Sequence, residues 1–280
     1  MTRTALVLGG GGVTGIAWEL GILTGLADAG VDVTGADTVI GTSAGSVVGA
    51  QVTGSRSLDD VYSSQLDPPD HEIGARVGRT TMLRLVPPMV LPGSEQRKLR
   101  RIGRMSMRAH PPGGEERIEV IRSRLGETRW PERDLRITAF EAETGQFVIF
   151  DRTSGVDLVH AVAASCAVPL VWPAVAVDGR HYLDGGLRST ANVDLALGAD
   201  VVVVLAPLPR SFSRATSIQA QLARTGARAG VVITPDERAL VDIGRNVLDP
   251  AKRAVAARSG RRQAADLVEE VRRAWPTGQG

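Results

Sequence analysis

Ser43 stands between Gly41 and Gly45 in the stretch VIGTSAG (39–45), directly after a short apolar run. Strand, turn, serine and then helix is how an acyl-attacking hydroxyl is presented: the flanking glycines relieve crowding around a strained residue, and the helix beginning at Ala44 aims its positive end at the same spot. A serine there is also a good helix cap. With 32 glycines in 280 residues, the spacing alone also arises by chance. A nucleophile needs two further things, a base for its proton and donors for the oxyanion it creates.

Four histidines are available as bases: His71, His110, His160 and His181. In the order serine, acid, histidine, only His160 or His181 following Asp151 or Asp157 would serve. His160 falls on a predicted helix and His181 within a predicted strand, positions where histidine is more often structural. Asp184 in HYLDGGL is the stronger candidate. It ends a predicted strand, and Gly185 and Gly186 allow an abrupt turn after it. A carboxylate at a second strand end can accept the serine's proton directly. Taken alone, Asp-Gly-Gly is simply a turn.

The oxyanion donors point to LGGGGVTG (8–15). Gly10, Gly12 and Gly15 formally fit a dinucleotide fingerprint, but that site needs an acid at the end of the second strand. Asp37 precedes that strand, which runs instead into Gly41. A phosphate loop would need Gly-Lys-Ser/Thr, which is absent. Four consecutive glycines, Gly9 to Gly12, suit close approach of backbone N–H groups to a negative oxygen at a helix N-terminus.

The elements that must position these groups alternate. Strands are predicted at 4–8, 37–40, 135–140, 146–150, 174–177, 180–183, 199–207 and 230–235. Helices are predicted after the glycine loop, with Ile16, Leu20, Leu23 and Ala27 on one face and Gly30 as the stop, then from Ala44 and at 156–165. Thr234 and Pro235 read as an N-cap and first position of further helical material, with a last helix at 262–274. Alternating strands and helices imply a three-layer α/β/α fold with a mostly parallel central sheet. We expect one domain over 1–280, with a Pro/Gly-rich insertion at about 66–116 and a helical extension at about 235–275.

Net charge is +2, but residues 76–108 carry nine Arg/Lys against Glu95, which is +8 there and −6 elsewhere. This predicts a basic helix near 94–108 whose Arg97, Lys98, Arg100, Arg101 and Arg104 face an anionic partner. Leu99, Ile102 and Met105 would share its apolar face on a membrane surface, with MLRLVPPMVL (82–91) as added apolar surface. Cys166 is the lone cysteine, which excludes internal disulfides and two-cysteine zinc sites. No run reaches the length of a signal-peptide core or membrane span, so a cytoplasmic protein with peripheral membrane contact is expected. Nothing calls for a metal or cofactor.

In order, LVLGGGGVTGIAWELGIL, GTSAG, AVAASCAVPLVWP and YLDGGLRSTANV resemble the patatin-like phospholipase family over about residues 4–206. The resemblance implies lipid acyl ester hydrolysis by a serine–aspartate dyad without histidine. By motif, Ser43 would be the nucleophile, Asp184 the base, and the N–H groups of Gly10, Gly11 and Gly12 the oxyanion donors. Gly9, Gly15, Gly41, Gly45, Gly185 and Gly186 would support the turns, and Ser165 to Pro169 would pack nearby. Thr14 departs from the family's frequent Arg or Lys, and Asn192-Val193-Asp194 from its Asn-x-Pro. The alternatives are a serine esterase with a histidine base, or a non-catalytic basic module binding membrane or, less in keeping with the Ser/Asp/Gly set, nucleic acid.

Overall fold

A computed structural model describes residues 2–68, 79–211 and 213–276, without the side chains of Arg79, Thr80 and Met82. His71 and Arg76 lie outside the described residues.

The strands are β1 (Thr4–Leu8), β2 (Thr38–Gly41), β3 (Asp134–Glu141), β4 (Phe147–Phe150), β5 (Val175–Val177), β6 (Arg180–Asp184), β7 (Val201–Leu205) and β8 (Ala229–Ile233). They form one sheet in the order β5-β6-β3-β2-β1-β7-β8, with β4 paired to β3. The five from β3 to β8 are mutually parallel, whereas β4, β5 and β6 pair antiparallel. The sheet is therefore mixed and mostly parallel, as expected. β1 is buried along its whole length, and its side chains alternate between two cores: Leu6 and Leu8 face one layer, Ala5 and Val7 the other.

The first layer holds α1 (Gly12–Asp28), α2 (Ala44–Thr53), α3 (Leu58–Ser63), α4 (Arg79–Val90), α5 (Glu95–Ala109), α6 (Gly114–Leu125) and α7 (Leu158–Ser165). α8 (Ile218–Thr225) covers the other face together with the 3-10 turn Val193–Ala196. The chain ends in α9 (Glu237–Ile243), α10 (Arg253–Ala264) and α11 (Val268–Ala274).

Four sequence expectations change. The 82–91 stretch is helical, and Pro87 and Pro88 sit inside α4, leaving the carbonyls of exposed Leu83 and Arg84 without ladder donors. α6 begins at the end of the expected Pro/Gly-rich insertion and runs past it; Glu115 and Glu116 open it and Gly126, at φ +68°, stops it. The cap before α9 is Asp236, whose carboxylate accepts from the Ala239 N–H at 2.7 Å, and not Thr234. The final helical material starts at Arg253, earlier than 262.

α10 packs directly on α1. A Cβ on Gly21 would stand 2.1 Å from the Ala257 carbonyl oxygen, and one on Gly260 2.3 Å from that of Trp18. The Trp18 indole N–H donates to Gln263 at 3.0 Å. α1 is thus covered by sheet on one side and α10 on the other, which explains why it is buried nearly all round. Overpacking of this kind costs about 1–3 kcal/mol. Gly260→Val is expected to lower the melting temperature by several degrees in a calorimetric scan, whereas Gly30→Ala, in open space but at φ +77°, tests only backbone strain.

Candidate active site

The site forms where two strands meet along β3. Ile137 pairs with Gly41 of β2 and with Phe150 of β4, while Ala139 pairs with Val148 of β4 and with Asp184 of β6. A strand residue has only two pairing edges, so β2 and β6 share the edge opposite β4. They approach it from opposite directions and end two β3 residues apart. Their last residues lead straight into Thr42-Ser43 and Gly185-Gly186.

Ser43 has φ 53° and ψ −117°, a strained conformation for a side-chain-bearing residue. Its hydroxyl makes no cap bond to α2, which removes the simple capping role. The backbone holds it there: the Ser43 N–H donates to Ser165 Oγ at 2.9 Å, and its carbonyl accepts from Ser46 Oγ at 2.6 Å and from the Cys166 thiol at 3.3 Å. Gly45 is required because a Cβ there would lie 2.1 Å from the Leu8 carbonyl oxygen.

Asp184 is buried, its carboxylate accepts from the Gly186 N–H at 2.7 Å, and it opens onto the same cavity as Ser43. Desolvation pushes its pKa from 3.8 up to about 6, which the Gly186 N–H and the nearby Ser43 hydroxyl only partly oppose. Asn192 ties the two turns together. Sitting at φ 51°, it donates from Nδ2 to Thr42 Oγ1 and the Ser189 carbonyl, each at 3.0 Å, and its Oδ1 accepts from Arg188 at 2.8 Å. Arg188 is in turn paired with Asp194 and Glu95.

In the glycine loop, the Gly9 N–H donates to the Leu205 carbonyl and to Glu19 Oε1, both at 2.9 Å. The Gly10 N–H donates to the Thr190 carbonyl at 2.7 Å. The Gly10 N–H is therefore engaged within the fold, while Gly11 and Gly12 stand at the open first turn of α1. Gly15 N–H closes back on the Gly11 carbonyl at 2.9 Å. Glu19 is fully buried, and its Oε2 has no partner among the described residues; burial raises its pKa well above the usual carboxylate range, favouring the neutral acid.

Ser43, Asp184 and Gly10 to Gly12 open together onto a cavity of about 510 Å³. Its walls are mainly apolar: Val13, Ile16, Leu85, Met89, Val90, Leu99, Ile102, Val168, Trp172, Leu187, Leu208, Val247 and Leu248. No described histidine lines it. His160 Nδ1 is 2.6 Å from Asp157, and His181 Nδ1 is 2.6 Å from Glu143, both partly exposed elsewhere. His181 also alternates to the opposite face of β6 from Asp184.

The basic segment is only partly as expected. α5 forms at Glu95–Ala109, but Leu99 and Ile102 are buried in the core, and a Cβ on Gly103 would lie 2.2 Å from the Ala142 carbonyl oxygen. The helix is amphipathic because it packs on the protein, so this face is not available to a membrane. Arg97, Arg100 and Arg104 are exposed. Lys98 lines the cavity, and Arg101 donates to the Pro92 carbonyl at 3.1 Å.

The family model for patatin-like phospholipases matches residues 6–197, a span containing the glycine loop, Ser43, Asp184 and Asn192. The chain belongs to the patatin-like phospholipase family. Lipid acyl hydrolysis is the activity this family carries. Among solved structures the chain is similar to VipD from Legionella pneumophila, at 14% identity and a TM-score of 0.47 over 96% of this chain and 67% of that one. It is also similar to the type III effector protein ExoU, at 16% identity and a TM-score of 0.41 over 96% of this chain and 53% of that one. No curated protein sequence matches it significantly. Among the described residues no helix is long and apolar enough to cross a membrane.

In this patatin-like site, sequence reasoning did not assign Glu19, placed Ser165 only as part of a segment packing nearby, and noted Asn192 only as part of a departure. Their specific contacts depend on partners 10, 122 and 150 residues away, and no local pattern signals such pairings. The raised Asp184 pKa has a consequence for stability. A carboxyl whose folded pKa exceeds its unfolded one stabilises the fold fully at low pH and loses that contribution as pH rises through about 6. The gap corresponds to about 3 kcal/mol. Asp184→Asn is therefore expected to unfold at higher urea than the parent at pH 8, with the difference narrowing as pH falls below 6 and closing only below 3.8.

Proposed function

We propose that the protein is a lipid acyl ester hydrolase using a Ser43–Asp184 dyad, and the observation that carries this reading is the strained Ser43 and the buried Asp184 opening together onto one apolar cavity beside the glycine loop. Asp184 takes the proton as Ser43 Oγ attacks the ester carbonyl. Charge then develops on the carbonyl oxygen, for which Gly11 and Gly12 N–H groups at the positive end of α1 are the donors. The leaving alkoxide takes the proton back from Asp184, and a water activated by the same carboxylate releases the acyl group. A base with a pKa near 6 suits this work at neutral pH: it is ionised before attack yet still basic enough to accept a proton.

Membrane contact belongs to the same reading, relocated from α5 to α4. On α4, Val86 and Val90 line the cavity and are 49% and 72% exposed, Leu83 is 70% exposed, and α5, which packs against α4, exposes Arg97, Arg100 and Arg104. Exposed apolar side chains with cations on the neighbouring helix suit docking on an anionic bilayer that delivers lipid to the site.

A fluorophosphonate probe is expected to label the protein once, at Ser43, and Ser43→Ala to abolish labelling and ester hydrolysis while circular dichroism stays unchanged. Labelling that survives in this variant would sink the reading. Asp184→Asn is expected to reduce turnover by about 10²–10⁴ or more, and His160→Ala and His181→Gln far less. For the parent, kcat/KM should rise with pH through about 6 as Asp184 ionises.

Replacing Arg97, Arg100 and Arg104 together by Gln should weaken binding to phosphatidylserine vesicles by roughly two orders of magnitude, at about 1 kcal/mol for each charge, and spare hydrolysis of a soluble ester. Vesicle binding equal to the parent's would count against membrane docking.

A further inference from the structure

The loop at residues 244–249 lies beyond the family-matched span of 6–197, yet it reaches the glycine loop. The Val247 carbonyl accepts from the Thr14 N–H at 3.2 Å and from its hydroxyl at 3.3 Å. A Cβ on Gly12, which has φ +62°, would lie 2.5 Å from the Val247 carbonyl oxygen and 2.9 Å from Leu248 Cδ2. Nothing larger than glycine fits between this loop and the first turn of α1. Val247 and Leu248 line the same cavity as Ser43 and Asp184.

The loop is fixed at both ends. Gly244, at φ +74°, ends α9, and the Asn246 side chain accepts from the Leu248 N–H at 3.4 Å. Asp249 then caps the turn Pro250–Lys252 through the Ala251 N–H at 3.0 Å, and α10 follows, held against α1. Leu248 is itself buried. This is a rigid wall beside the proposed oxyanion donors.

We propose that this C-terminal loop completes the substrate site, with Leu248 as the residue that selects the acyl group. The inference rests on the acyl hydrolase reading above for its substrate class, a single-chain acyl ester, which a cavity of about 510 Å³ accommodates. Leu248 lies against Gly12 and lines the cavity, so an acyl chain whose carbonyl is held by Gly11 and Gly12 starts within reach of its side chain. In an apolar pocket a change of even one methylene alters discrimination about ten-fold or more.

The test is a series of p-nitrophenyl esters from butyrate to palmitate with the parent, Leu248→Ala and Leu248→Trp proteins. Leu248→Ala is expected to raise the kcat/KM ratio of long to short esters about ten-fold, and Leu248→Trp to lower it by a similar factor. If the tryptophan variant does not fold, Leu248→Phe takes its place with the same expected direction. In parallel, calorimetric titration of laurate and palmitate into Ser43→Ala proteins carrying the same Leu248 changes reads chain selection without turnover. Superimposable profiles in both series would overturn the role of Leu248. Absence of hydrolysis in the parent, with fatty-acid selectivity still shifted by Leu248, would overturn the hydrolase reading and leave the wall in place.

Discussion

The pairing register of β3 is the constraint from which the rest of the site follows. β2 enters parallel to β3 and stops opposite Ile137, and β6 enters antiparallel on the same edge and stops opposite Ala139. Two chain segments about 140 residues apart in sequence are thereby aimed at one another, and each must turn sharply out of the sheet to avoid collision. Those turns carry Ser43 and Asp184. A one-residue slip of β6 would flip its side chains to the opposite face and remove the carboxylate from the serine. The strain at Ser43 and the demand for Gly45 against the Leu8 carbonyl are local consequences of the same geometry.

The electrostatics follow from burial. Asp184 is buried, and the Gly186 N–H at 2.7 Å does not compensate for its desolvation, so its ionised form is costly. In the proposed dyad that cost would make the carboxylate a useful base near neutral pH, and it comes at the expense of fold stability. Glu19 experiences the same desolvation without a cation nearby and favours its neutral form, holding the Gly9 N–H. Around these groups, Asn192, Thr42 and Thr138 form a small buried network joining β2, β3 and the turn after β6. Its members are mutually satisfied, which is what allows polar groups at the centre of the fold.

The C-terminal helices belong to the site's construction as well as to its cover. α10 fits against α1 at glycine positions, so the two backbones approach closely and fix the axis along which α1 points its N-terminus. The Thr14–Val247 contact then secures the first turn itself. α5 commits its apolar face to the core, while α4 leaves Leu83 and Val90 facing solvent.

The sequence by itself determined the alternation of strands and helices, the mostly parallel sheet, the glycine loop before a helix, and the two Gly-flanked turns at 41–45 and 184–186. These are short-range properties: hydrophobic periodicity and glycine at strained positions are written in neighbouring residues. It also contained the basic helix, but not what its apolar face would touch. An amphipathic helix has the same pattern whether it lies on a membrane or on a core, and only the packing of Leu99 and Ile102 decided between them. Likewise, tertiary structure alone decided that Gly10 is anchored to Thr190, that Asp184 is desolvated to a pKa of about 6, and that a loop near residue 247 reaches the glycine turn. Those facts depend on partners brought together across the whole chain, and burial and hydrogen bonding between such partners exist only once the sheet register is set.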